Sequence, residues 1–205
     1  LPEVFIGLIP GWGGAYLLPN LIGIRNSLKV ILENPLKQNR MLKPQEVLEL
    51  GIADKMFGSA RFLEESLAWA DEVIGGKKVK RKHEPGAVEK ATMWGPAVSI
   101  ARSTVEEKLG KVPLSPYLAL DLIAAAKSGS KAAAFKREDD AIEELIASDQ
   151  FRASIYAFNL VQKHAKKPSG APDKALARKV SKVGVLRAGL MASQFALLFL
   201  RRLEV

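Results

Sequence analysis

The stretch Leu1-Pro2-Glu3-Val4-Phe5-Ile6-Gly7-Leu8-Ile9-Pro10-Gly11-Trp12-Gly13-Gly14 decides how the rest of the chain is read. It puts one carboxylate, Glu3, on a short apolar segment and follows it with a Pro-Gly-x-Gly-Gly cluster. Gly and Pro punctuate there, so the pattern predicts an extended segment over 1–9, a tight turn, then a helix from about Gly14 to Leu32. A carboxylate among apolar neighbours has its neutral form favoured, which suits proton transfer near neutral pH. Glycines at a helix N-terminus let backbone N–H groups approach a ligand or a water. The same residues also fit a surface glutamate ahead of an ordinary turn, and a short motif alone does not separate the two.

Outward from this turn, Pro19 either kinks the helix or marks its true start, and Asn34-Pro35 ends it. A short helix through Leu50 closes at Gly51. Residues 52–57 read as a short strand. Ser59 can N-cap a helix through Ile74 with Leu63, Leu67, Ala70 and Ile74 on one face. The basic run Lys77 to Lys82 and then Pro85-Gly86 mark a boundary within 77–95. Helices follow at about 96–109, 115–128, 131–147 and 149–166, the third with Ala141, Leu145 and Ile146 facing inward. Lys166 to Pro172 reads as a second linker. Val183 to Leu186 then reads as a strand, and a helix runs from about Gly189 to Leu203.

The chain has 205 residues, 48% of them apolar, enough for a sizeable core. It has no cysteine, which excludes disulfides and thiolate metal sites. No apolar run reaches the roughly 18–20 residues that cross a bilayer, and residues 1–14 lack the basic-then-apolar pattern of a signal peptide. The expected setting is therefore cytoplasmic. The formal charge of +9 is uneven: residues 151–205 hold 11 basic and 2 acidic groups. A basic end can attract nucleic acid, anionic lipid or phosphate-bearing ligands, or be simply solvated. Aromatics are 7% with no interleaved basic–aromatic pattern, which argues against single-strand nucleic acid binding.

The second motif is Lys182-Val183-Gly184-Val185-Leu186-Arg187-Ala188-Gly189-Leu190-Met191-Ala192. A dinucleotide-binding turn needs glycine at the bend, glycine at the close pyrophosphate approach, and a small residue where helix meets strand. Gly189 and Ala192 fill the second and third positions, with Gly184 on the strand. Arg187 stands where the first glycine belongs, and its bulk could strain the turn or block the cofactor. An apolar strand and an ordinary helix would give the same half-motif.

The opening stretch resembles the crotonase (enoyl-CoA hydratase/isomerase) superfamily position by position, and the likeness continues through Val47-Leu48-Glu49-Leu50-Gly51-Ile52-Ala53-Asp54. Together these cover about the first 75 residues. The second motif resembles the start of a 3-hydroxyacyl-CoA dehydrogenase domain, and Phe158 to Lys167 resembles the helix that precedes that domain. The order of the motifs is that of multifunctional β-oxidation proteins, among them α-subunits of bacterial trifunctional fatty-acid oxidation complexes.

The resemblance implies a mainly α chain with short strands: the C-terminal part of a crotonase-like α/β domain over 1–76, a helical linker region over 77–180, and the first βα unit of a Rossmann-like NAD-binding domain over 181–205. It implies that Glu3 is the general acid that, with a second glutamate, adds water across an enoyl-CoA double bond. It implies that the Gly11 N–H helps hold that water. The second glutamate and both oxyanion N–H groups precede Leu1 in the family, and the ribose ligand and dehydrogenase histidine follow Val205, so the 205 residues alone are expected to be inactive. NAD in the second motif (Gly184, Gly189, Ala192), coenzyme A thioesters as substrates and a thiolase β-subunit as partner are implied with it. A Δ3,Δ2-enoyl-CoA isomerase is the nearest alternative, and a non-enzymatic basic helical binding module is one of another class. Trp12 departs from the small residue common at its position and reads as core packing rather than a narrowing of the acyl channel.

His83 and His164 read as surface histidines. Glu138-Asp139-Asp140 with Glu143-Glu144 has no histidine at ligand spacing and reads as a solvated helix face, with no metal site.

Overall fold

Two glycines in unusual backbone conformations organise the first part of the fold. Gly13 (φ +86°) releases the chain into α1 (Gly14–Ile22), and Gly23 (φ +79°, ψ 166°) breaks it again before α2 (Ile24–Leu28). A single π turn, Lys29–Glu33, then leads into α3 (Asn34–Leu36). In a regular α-helix the ring of Pro35 would collide with the carbonyl of Ile31, and the wider turn lies where that collision would occur. The expected uninterrupted helix from Gly14 to Leu32 is thus divided at Gly23, while Pro19 is accommodated inside α1 and Pro35 inside α3. The computed structural model describes residues 1–166, 168, 170–186 and 189–200, with Lys166 and Lys174 as backbone only.

After α4 (Pro44–Glu49) and α5 (Phe62–Ile74) come α6 (Ala87–Thr92), α7 (Trp94–Leu109), α8 (Leu114–Ala125), α9 (Lys131–Ala147) and α10 (Asp149–Lys166). The last two match their expected bounds. α9 begins cleanly because Ser130 accepts a hydrogen bond from the Ala133 amide at 3.2 Å, the usual N-cap arrangement. Residues 1–161 and 162–205 form two compact units. In the second, α11 (Leu190–Phe199) stacks Phe195 on Phe199.

The first unit has a core drawn from widely separated stretches. Val4, Ile9 and Ala15 pack with Ile24, Ile31 and Leu32, and all of these meet Trp94, Val98, Leu120, Ile123 and Leu145. Trp94 is fully buried and donates its indole N–H to the Ile123 carbonyl at 2.8 Å, tying α7 to α8. Asn20 donates to the Ala126 carbonyl at 2.9 Å and ties α1 to the end of α8. On α9, Ala141 and Leu145 face inward as expected, but Ile146 is turned out to solvent. The inward stripe is Ala134, Glu138, Ala141 and Leu145, a helical repeat that Ile146 does not share.

The chain is mainly α, as expected, but three short extended or strand segments are not formed. Residues 3–6 make a 3-10 turn instead, closed by the Phe5 amide on the Pro2 carbonyl and by the Gly7 amide on the Val4 carbonyl. Ile52 and Ala53 fold back so that both amides reach the Val47 carbonyl, wrapping the end of α4. Residues 183–186 are not a strand; Lys182, just before them, is in a bridge. An isolated strand leaves its N–H and C=O groups without ladder partners, and the described residues contain no neighbouring strand to supply them.

Candidate functional site

Glu3 lies at the start of the 3-10 turn, an element that packs against α3, α8 and the π turn. Its backbone carbonyl accepts the Leu8 amide at 2.9 Å, which fixes the loop leading to Pro10. One carboxylate oxygen, Oε2, is buried and has no hydrogen-bond partner among the described residues. Buried polar atoms are nearly always paired. An unpaired, buried carboxylate oxygen is therefore suited to a water or a substrate atom.

The glycine turn is walled by α9, and the preceding Gly7 meets α10. A β-carbon on Gly11 would come within 2.9 Å of Ile142, one on Gly13 within 2.1 Å of the Phe135 ring, and one on Gly7 within 3.2 Å of the Ser154 hydroxyl. At Gly13 both the packing on Phe135 and the positive φ require glycine, and at Gly7 the positive φ (+84°) favours it. The Gly14 amide closes the turn on the Gly11 carbonyl at 3.0 Å, and the Gly11 N–H donates to no group among the described residues.

The α1 N-terminus is not free. Glu138 accepts hydrogen bonds from the Gly13 amide at 2.6 Å and from the Tyr16 amide at 3.1 Å. Glycine has no side chain with which to cap its own helix, so the cap comes from 125 residues away. Glu138 is 1% exposed, which corrects its reading as part of a solvated acidic face. Burial pushes its carboxyl above the usual range, while the amides of Gly13, Tyr16 and Ala15 pull it back down. The sequence did carry a signal for it: Glu138 falls on the i, i+4, i+7 repeat of Ala134, Ala141 and Leu145. Glu89 plays the same part at α2, where its Oε1 accepts the Ile24 amide at 3.0 Å beside Gly23.

Trp12 does not pack as core. It is 93% exposed, with φ +54°. His83 is exposed and bonds through Nε2 to the Glu49 carbonyl. Among the described residues no cluster of acidic and histidine side chains could hold a metal ion, and no helix is long and apolar enough to cross a membrane. A cavity of about 520 Å³ between α2–α3 and α7, floored by Leu28, Leu32 and Val105, contains none of the candidate residues.

The second candidate site lies in the other unit. Gly189 is extended (φ −76°, ψ 171°) and opens α11, its carbonyl accepting the Ser193 amide at 3.0 Å. Ala192 lies in the first turn of α11, and Gly184 has open space around it. A glycine followed by a helix is present; the expected strand before it is not formed. Arg187, which stands at the bend, lies outside the described residues.

No protein-family model matches the chain. Curated proteins do. The chain is 32% identical over 209 residues to the peroxisomal bifunctional enzyme of Pongo abelii, covering 98% of this chain and 27% of that protein. It is 30% identical over 201 residues to the fatty acid oxidation complex subunit alpha of Idiomarina loihiensis, covering 96% and 27%. It is 28% identical over 199 residues to the peroxisomal fatty acid beta-oxidation multifunctional protein of Arabidopsis thaliana, covering 96% and 26%. The chain is similar in sequence to fatty-acid β-oxidation multifunctional proteins. It spans about a quarter of the length of these curated relatives, and the likeness runs along nearly all of it. Their names give no support to an isomerase or to a non-enzymatic binding module.

Proposed function

We propose that this chain is part of a fatty-acid β-oxidation enzyme that hydrates 2-enoyl-CoA and oxidises 3-hydroxyacyl-CoA with NAD. The observation that carries the hydratase reading is the buried, unpartnered Glu3 Oε2 on the turn before Gly11. In this reading residues 1–76 belong to a crotonase-like domain, 77–180 to a helical linker region and 181–205 to the start of a Rossmann-like dehydrogenase domain. Glu3 is the general acid: it hands a proton to Cα of the enoyl thioester as the water oxygen bonds to Cβ. The Gly11 N–H holds the water. A second carboxylate takes one proton from the water, the other staying on the new 3-hydroxyl, and an oxyanion hole supplied elsewhere in the polypeptide stabilises the enolate.

NAD, when bound, accepts the hydride from the 3-hydroxy carbon. This chain's own contribution would be positional, with Gly184, Gly189 and Ala192 allowing the pyrophosphate to approach the start of α11. A thiolase β-subunit is the partner that would consume the 3-ketoacyl product, because its substrate is what the dehydrogenase step makes. Supporting the whole is the similarity along 96–98% of the chain to proteins named for β-oxidation.

The test is Glu3→Gln in the full-length polypeptide. Loss of a general acid should cut crotonyl-CoA hydration by about 10²–10⁴-fold. Hydration at the wild-type rate would remove Glu3 from the mechanism.

A further inference from the structure

Three residues of α9 meet the glycine turn: Phe135 lies over Gly13, Glu138 accepts the Gly13 and Tyr16 amides, and Ile142 lies against Gly11. Their spacing of three and four residues places them on one stripe of the helix. All three reach the turn from a segment more than 120 positions away in the chain. The turn has little of its own to hold it: the Gly14 amide on the Gly11 carbonyl is the bond that closes it, and Trp12 is almost wholly in solvent.

A buried carboxylate is a costly way to cap a helix, since taking its charge out of water is unfavourable. A serine, asparagine or aspartate at the Gly13 position would satisfy the Tyr16 amide locally. That solution is closed here, because Gly13 is at φ +86° and any β-carbon would strike Phe135. The carboxylate also occupies the positive end of α1, so that end is not offered to substrate phosphates. The Gly11 N–H, two residues before the bond to Glu138, donates to no group among the described residues.

We infer that Glu138 is a positioning residue: with Phe135 and Ile142 it sets the path of the Gly11–Gly14 turn and so aims the Gly11 N–H at the reacting water. The inference rests on the hydratase reading for its consequence in rate, but its structural content does not. Glu138 touches no substrate atom and acts through the turn.

The experiment compares wild type, Glu138→Ala and Glu138→Gln in the full-length polypeptide. Kinetics with crotonyl-CoA are read alongside amide hydrogen exchange at Gly13 and Tyr16. A misplacement of about 1 Å in a reacting group can cost on the order of 100-fold. Glu138→Ala should therefore lower kcat by about 10–100-fold while KM for crotonyl-CoA moves less than about threefold, and both amides should lose protection. Glu138→Gln keeps one acceptor oxygen and should restore part of kcat. It also carries the test if the alanine variant does not fold.

A lowered melting temperature with unchanged kcat would make Glu138 an ordinary cap and overturn the inference. So would a rise in KM at constant kcat. If wild type does not hydrate crotonyl-CoA, the hydratase reading fails, and amide exchange alone decides the anchoring. Selective loss of protection at Gly13 and Tyr16 in the variants supports it, and unchanged protection overturns it.

Discussion

Replacing Gly13 by alanine tests the packing of α9 on the turn most directly. The added methyl would sit 2.1 Å from Cζ and 2.3 Å from Cε2 of Phe135, inside any permitted contact distance. It would also have to adopt φ +86°. The left-handed conformation costs a residue with a β-carbon about 1–2 kcal/mol, and crowding a packed interior costs about 1–3 kcal/mol. The sum of about 2–5 kcal/mol is a large part of the roughly 5–15 kcal/mol that holds a typical domain folded. For a unit of this size it corresponds to a drop of roughly 4–20 °C in Tm. The assay is thermal unfolding of the chain followed by circular dichroism, with Gly95→Ala as the contrast. Gly95 is exposed near the start of α7 with nothing within 4 Å of an added β-carbon, so alanine there should stabilise by about 0.5–1 kcal/mol. Phe135→Ala should be partly compensatory, making the Gly13→Ala/Phe135→Ala pair less damaging than the two losses summed. A Gly13→Ala protein within about 0.5 kcal/mol of wild type would refute the reasoning, and strict additivity in the pair would refute the clash.

The raised carboxyl pKa of Glu138 makes the folded state hold its proton to higher pH than the unfolded chain does. Folding stability from this group is therefore full below the unfolded carboxylate pKa and is lost as pH rises through the folded value. The measured difference, wild type minus Glu138→Gln, should shift in the variant's favour on going from acid to neutral pH; an opposite slope would mean that the helix amides outweigh desolvation. Trp94→Phe removes the indole donor to Ile123 from a fully buried site and should cost about 1–3 kcal/mol with helix content intact, read by urea unfolding. Arg187→Gly should tighten NADH binding by something on the order of tenfold if about 1–2 kcal/mol of strain is relieved. Calorimetric titration showing equal or tighter binding by the arginine form would point instead to its pairing with phosphate.

How much of this was legible beforehand differs from element to element. α9 and α10 match their expected bounds because apolar periodicity, Ser130 and Ser148 define them locally. Glu3 and the glycine turn stood out as a pattern of residue types at close spacing. The expected strands were another matter. Residues 52–57 and 183–186 have strand-like composition, but a strand exists only through the partner that takes its hydrogen bonds. Among the described residues none is present.

What the sequence by itself determined is what short-range physics controls: most of the helices, and a carboxylate set before a glycine-rich turn. What only the tertiary structure decided is which distant group completes each local deficit. Gly13 and Gly23 lack capping side chains, and nothing near them in sequence shows that Glu138 and Glu89 fill the gap. The acidic run around Glu138 looked solvated because composition averages over a helix, whereas burial selects single positions on one face. Trp12 erred in the opposite direction: a large apolar side chain suggests core, yet the turn's left-handed backbone carries it into solvent. In each case the deciding term was a contact over a long sequence separation or the direction in which the backbone aimed a side chain, and residue identity alone contains neither.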